Sequence, residues 1–170
     1  MKNKIILISA ILISIVIIMT VIVYAEPILK YSGAGTFGNW TEEAYYCSPV
    51  IIDLDGDGSL EIVCSAYSIY VLDAATGSLK WRVNSGHDRS ESFVEIGGNN
   101  GFTWSDLEVC DIDGDGEYEI ISCHGGGCIS VLDKDGYFKA GWPGYPTDKS
   151  LRSLNVCDLD LDGKSEIIVG

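Results

Sequence analysis

The chain is poor in basic residues and nearly without histidine. Its 170 residues carry 11 Lys and Arg against 25 Asp and Glu, and only two histidines, His87 and His124. No basic cluster occurs, so there is no electrostatic footprint for a nucleic acid. The histidines stand at unrelated positions, and neither a G-x-S-x-G nor an H-E-x-x-H phrase is present. The nucleophile-elbow and zinc-protease constellations are thereby excluded. What the chain has in excess is acid, and the acid is not spread evenly.

One acidic phrase is written three times: DLDGDGSLEIV from Asp53, DIDGDGEYEII from Asp111 and DLDLDGKSEII from Asp158. Each copy places Asp at positions one, three and five, Gly at six and Glu at nine. These positions hold twelve of the 25 acidic residues, leaving 13 against 11 bases. The net charge of −14 is therefore local to the loops and not the mark of a basic partner. Alternating carboxylates repel one another, so each loop is expected to fold around a cation. Three Asp oxygens, a Glu and a backbone carbonyl form a hard oxygen cage suited to calcium.

An EF-hand opens with the same D-x-D-x-D-G, but it needs a bidentate Glu at position twelve and an exiting helix. Position twelve here holds Cys64, Ser122 and Val169, and the segments that follow are short and β-branched. The loop therefore joins two strands, with its Glu opening the second. A metal-free acidic turn is the plainer alternative, since Asp-Gly favours turns anyway. Position four is Gly56 and Gly114 in the first two copies and Leu161 in the third, where Lys164 stands at position seven. On this reading the first two loops bind best.

The N-terminus reads as a separate segment. Lys2 and Lys4 precede an apolar run from Ile5 to Val23, and Val23-Tyr24-Ala25 offers a small-residue cleavage site. Residues 1–25 are expected to form an apolar helix, either a cleaved signal or a membrane anchor. Both place the remainder outside the cytoplasm, secreted or held at the cell surface. Asn39-Trp40-Thr41 is a glycosylation sequon, and six cysteines in an exported chain permit disulfides. Cys123 and Cys128 are placed to face each other across a hairpin. Cys110 and Cys157 share a repeat position and read better as small buried hydrophobes at strand ends.

The remaining organisation is strand and turn. Residues 26–46 form a Gly-rich lead-in, 47–104 a first repeat with an insertion, 105–151 a second and 152–170 part of a third. The first repeat predicts strands over 49–54, 61–65, 69–73 and 79–83, with Tyr67-Ser68 as a turn. The second predicts 107–112, 119–123, 129–133 and 137–142. The first Asp recurs after 58 residues and then after 47, and the extra length lies between Asn84 and Thr103. Four antiparallel strands per unit of about 50 residues is the grammar of a β-propeller blade. The expected class is all-β, with about two and a half blades behind an N-terminal hydrophobic helix. An open stack of that size leaves strand edges exposed, so further blades are expected to complete it.

The phrase D-x-D-G-D-G-x-x-E-I-[IV] behind an apolar strand resembles the FG-GAP or VCBS-type repeat of calcium-binding propellers such as integrin α-subunits. Ile129 to Asp133 and Gly141-Trp142-Pro143 are similar to that family's blade ending, and Tyr70 to Gly77 with Trp81 also resembles a quinoprotein-type blade. The resemblance implies calcium ligands at Asp53, Asp55, Asp57 and Glu61, at Asp111, Asp113, Asp115 and Glu119, and at Asp158, Asp160, Asp162 and Glu166. Ser59, Glu117 and Lys164 would offer backbone carbonyls. The function it implies is an exported binding or adhesion scaffold for a protein or glycan ligand, with Trp81 and Trp142 as packing residues. The alternative is part of a propeller enzyme, polysaccharide lyase-like or quinoprotein dehydrogenase-like, whose active site lies elsewhere.

Overall fold

A computed structural model describes residues 48–65, 68–94, 103 and 106–170. The N-terminal apolar segment, the lead-in, the sequon and Cys47 lie outside the described residues. No helix among the described residues is long and apolar enough to cross a membrane.

The described chain is all-β and antiparallel. Strands β1 (Val50–Ile52), β2 (Glu61–Ser65), β3 (Ser68–Asp73) and β4 (Leu79–Asn84) pair in order as one four-stranded sheet. Strands β5 (Glu108–Cys110), β6 (Glu119–Cys123) and β7 (Ile129–Leu132) form a three-stranded sheet, and β8 (Leu154–Cys157) pairs with β9 (Glu166–Val169). These are propeller-like blades, and the acidic phrases join the first and second strand of each. Register is the same in the three junctions: Ile52 faces Glu61, Cys110 faces Glu119 and Cys157 faces Glu166.

Two expectations are corrected. Ser68 opens β3 instead of turning the chain, and it is fully buried. The fourth strand of the second repeat is reduced to isolated bridges, Leu132 to Phe138 and Ile129 to Gly144. Gly141 at φ 92° and Pro143, which has no amide to donate, interrupt a ladder there.

The sheets are held by apolar side chains between them. Val63, Val71, Trp81 and Val83 from the first pack with Leu107, Ile120 and Leu132 of the second. Cys123, Ile129 and Leu151 pack with Trp142, Leu154, Ile167 and Val169, joining the second sheet to the third. Each fully buried side chain of this kind stabilises by about 1.5–3 kcal/mol, so these clusters outweigh any exposed ion pair. Both tryptophans serve packing, as expected, and the Trp81 indole donates to the Lys134 carbonyl at 3.0 Å.

The insertion after β4 acts as a strap between units. Asn84 exchanges two hydrogen bonds with Val94, at 2.7 and 2.9 Å. Arg89 donates to the carbonyls of Asp135 and Gly136, and Asp88 accepts the Phe138 amide at 3.1 Å. The Arg89 and Asp88 contacts fall on the outer turn of the second repeat.

Cys123 and Cys128 are buried thiols, not a hairpin disulfide. Cys123 contacts the Ser153 carbonyl and Cys128 the Ser130 hydroxyl. Cys110 and Cys157 are half-buried thiols ending β5 and β8.

Candidate metal centres

Each acidic loop is wired in the same way. The position-nine carboxylate receives the amide of position two: Leu54 to Glu61 at 2.9 Å, Ile112 to Glu119 at 3.0 Å and Leu159 to Glu166 at 2.8 Å. The position-one Asp receives the amide of the position-six glycine, at 3.0, 2.9 and 2.9 Å. The position-five Asp receives the amide of position seven, at 2.7, 2.8 and 2.9 Å. The position-three Asp receives the amide of position five, more loosely, at 3.3, 3.3 and 3.2 Å. These bonds fix the side chains and leave further carboxylate oxygens turned into the loop.

Those oxygens converge. Asp53, Asp55 and Asp57 each bring one within 4.8 Å of the others, as do Asp111, Asp113 and Asp115. In the third loop the cluster is Asp158, Asp160 and Glu166. Asp162 is not part of it, and Glu61 and Glu119 lie beside their clusters instead of within that distance. Ser59, Glu117 and Lys164 are exposed at the loop rims.

Two buried atoms are conspicuous. Asp53 Oδ1 and Glu119 Oε1 are sealed from solvent, and neither makes a hydrogen bond. A buried carboxylate oxygen without a donor costs energy unless something positive meets it. Lys139 meets the Glu119 oxygen at 3.0 Å, whereas Asp53 Oδ1 remains an orphan; an all-carboxylate donor set with that orphan fits a hard divalent cation.

The position-six glycines sit at φ 88, 90 and 91°, where a side chain would be strained. Leu161 at position four takes the same left-handed turn at φ 62°, which costs about 1–2 kcal/mol in a non-glycine residue.

Sequence reasoning missed the next feature. Lys80 on β4 reaches back into the first loop, with Nζ 2.9 Å from Asp55 Oδ2 and 2.7 Å from Glu61 Oε1. Lys139 enters the second loop, with Nζ 2.9 Å from Asp113 and from Asp115 and 3.0 Å from Glu119 Oε1. The approach to Glu119 is an ion pair without an aligned hydrogen bond. Hydrogen bonding to these carboxylates raises both ammonium pKa values, and Lys80 and Lys139 hold Asp55 and Asp115 below the usual carboxylate range. A signal was present: each lysine stands three residues after the outer-turn glycine, in Gly77-Ser78-Leu79-Lys80 and Gly136-Tyr137-Phe138-Lys139. Among the described residues, the third loop's carboxylates have no such lysine.

The first two loops border one cleft of about 160 Å³, lined in part by Asp53, Asp55, Glu117, Tyr118 and Lys134. It falls below the range of about 300–1,000 Å³ for drug-sized ligands. His124 is fully buried and His87 is paired with Glu91 at 2.9 Å, so neither lines the cleft.

Residues 53–122 match the FG-GAP-like repeat family, and this segment is an FG-GAP-type repeat. It runs from the first acidic loop through the second to β6. No curated protein matches the chain.

Proposed function

We propose that the protein is an exported scaffold of FG-GAP-type blades whose strand junctions are tied by calcium, and that it displays a surface for a protein or glycan ligand. One observation carries the metal reading: the same set of loop bonds, repeated three times, turns carboxylate oxygens into one spot. Convergence of like charge is unfavourable on its own, and a divalent ion removes the cost. The ion's role is structural. It neutralises the loop and fixes the junction between the first two strands of each blade. Export is supported by Lys2, Lys4 and the apolar run from Ile5 to Val23, and by the abundance of free calcium outside cells. A cell-surface binding role is supported by the small cleft, which suits a peptide or sugar edge better than an enclosed substrate. Further blades would cover the exposed Leu159, whose counterpart Leu54 is buried between the first two sheets.

The test is thermal unfolding of the full chain in detergent, in chelator, in millimolar calcium and in millimolar magnesium. Calcium should raise the melting temperature by several degrees, and magnesium should do less because it gives up its waters reluctantly. Coincident curves in chelator and calcium would contradict the proposal.

A further inference from the structure

The lysines in the first two loops bear on how those loops take a metal. This inference rests on the calcium reading above. We propose that Lys80 and Lys139 are tethered counter-ions that occupy the cation positions of their own loops, and that calcium must displace them to bind.

Geometry supports competition over assistance. Lys139 Nζ lies within 3.0 Å of carboxylate oxygens at positions three, five and nine. Positions three and five belong to the converging cluster, and position nine lies beside it. Calcium needs the same oxygens at about 2.3–2.6 Å, and an ammonium cannot share them at that range. Lys80 does the same with positions three and nine of the first loop. The two side chains come from equivalent points of successive units, so the arrangement is part of the repeat. They remain 34% and 22% exposed, which lets the ammonium swing into water while its stem stays on the sheet.

Two consequences follow. Without metal, the first two loops are already partly neutralised, so they fold without calcium. The observed calcium affinity of these loops is reduced by the fraction of time the lysine is out. The third loop serves as the internal reference, because its own lysine, Lys164, is exposed at the loop rim and not directed at its carboxylates as Lys80 and Lys139 are.

The experiment is calcium titration of the full chain by calorimetry, with Lys80→Met and Lys139→Met made separately. Each substitution should tighten calcium binding at its own loop about tenfold, the scale set by losing one charged hydrogen bond. The third loop should be unaffected. Melting in chelator should fall in each variant, and melting in saturating calcium should match the unsubstituted chain. Unchanged or weaker calcium binding in a folded variant would overturn the proposal, since it would make the lysine a support. The two variants probe separate loops, so failure of one to fold leaves the other decisive. If the third loop also takes no calcium, the calcium reading fails instead. If the third loop binds while the lysine variants change nothing, only the displacement inference fails.

Discussion

Replacing Gly127 by alanine should cost about 2–5 kcal/mol of folding stability. Gly127 ends the short 3-10 turn Gly125–Gly127 that carries β6 into β7, and its φ is 77°. A Cβ there would lie 1.9 Å from the Thr147 carbonyl oxygen, 2.7 Å from its carbon and 3.1 Å from the Lys149 oxygen. All three are backbone atoms, so no side chain can swing aside. Left-handed strain contributes about 1–2 kcal/mol and overpacking about 1–3. Gly126 provides the control. It has nearly the same φ, 76°, and nothing within 4 Å of its added Cβ. Gly126→Ala should show the strain alone. Denaturant unfolding of both variants separates the terms, and equal losses would show that the approach of the 147–149 segment to the turn is wrong.

Acid should weaken the fold well before the carboxylates protonate. His124 is buried where three hydroxyls meet its ring: Nδ1 is 2.9 Å from Thr103 Oγ1, and Nε2 is 3.0 and 2.9 Å from Ser122 and Ser130 Oγ. Burial, with a smaller contribution from His87, pushes its pKa down to about 3. The unfolded chain protonates this group near the ordinary histidine value of 6.5, so the unfolded state binds the proton first. Stability is full above pH 6.5 and falls as pH drops through the window toward 3. The slope is about 1.4 kcal/mol per pH unit, or about 2–3 kcal/mol between pH 6.5 and 4.5. Asp55 and Asp115, whose folded pKa values are lowered, add their loss only in more acid solution. Unfolding curves at pH 7, 6 and 5 should show the decline, and His124→Gln should flatten it. An unchanged slope in that variant would assign the acid sensitivity elsewhere.

The loops were legible because their chemistry is local. Asp at alternate positions, Gly at six and Glu at nine lie within nine residues, and the structure places each Glu at or next to the mouth of its loop. The β-branched runs after Glu61 and Glu119 specified strands for the same reason. The fourth strand of the second repeat was overestimated because Gly141 and Pro143 end the ladder sooner than apolar character does. Lys80 and Lys139 lie 19 to 26 residues from the carboxylates they meet. Only the hairpin register brings them back, and register cannot be read from lysine alone. His124 carried no local mark of burial. Its environment is assembled from Thr103 at the end of the insertion and from Ser122 and Ser130 on two strands.

The most direct test of the account is the number of calcium ions the chain binds. Calorimetric titration of the chelator-stripped full chain should show saturable binding approaching three ions per chain. Asp158→Ala and Asp113→Ala should each remove one of them. Magnesium at the same concentration should not substitute. Absence of saturable calcium binding, or binding unaltered by both substitutions, would contradict the assignment of these loops as metal centres.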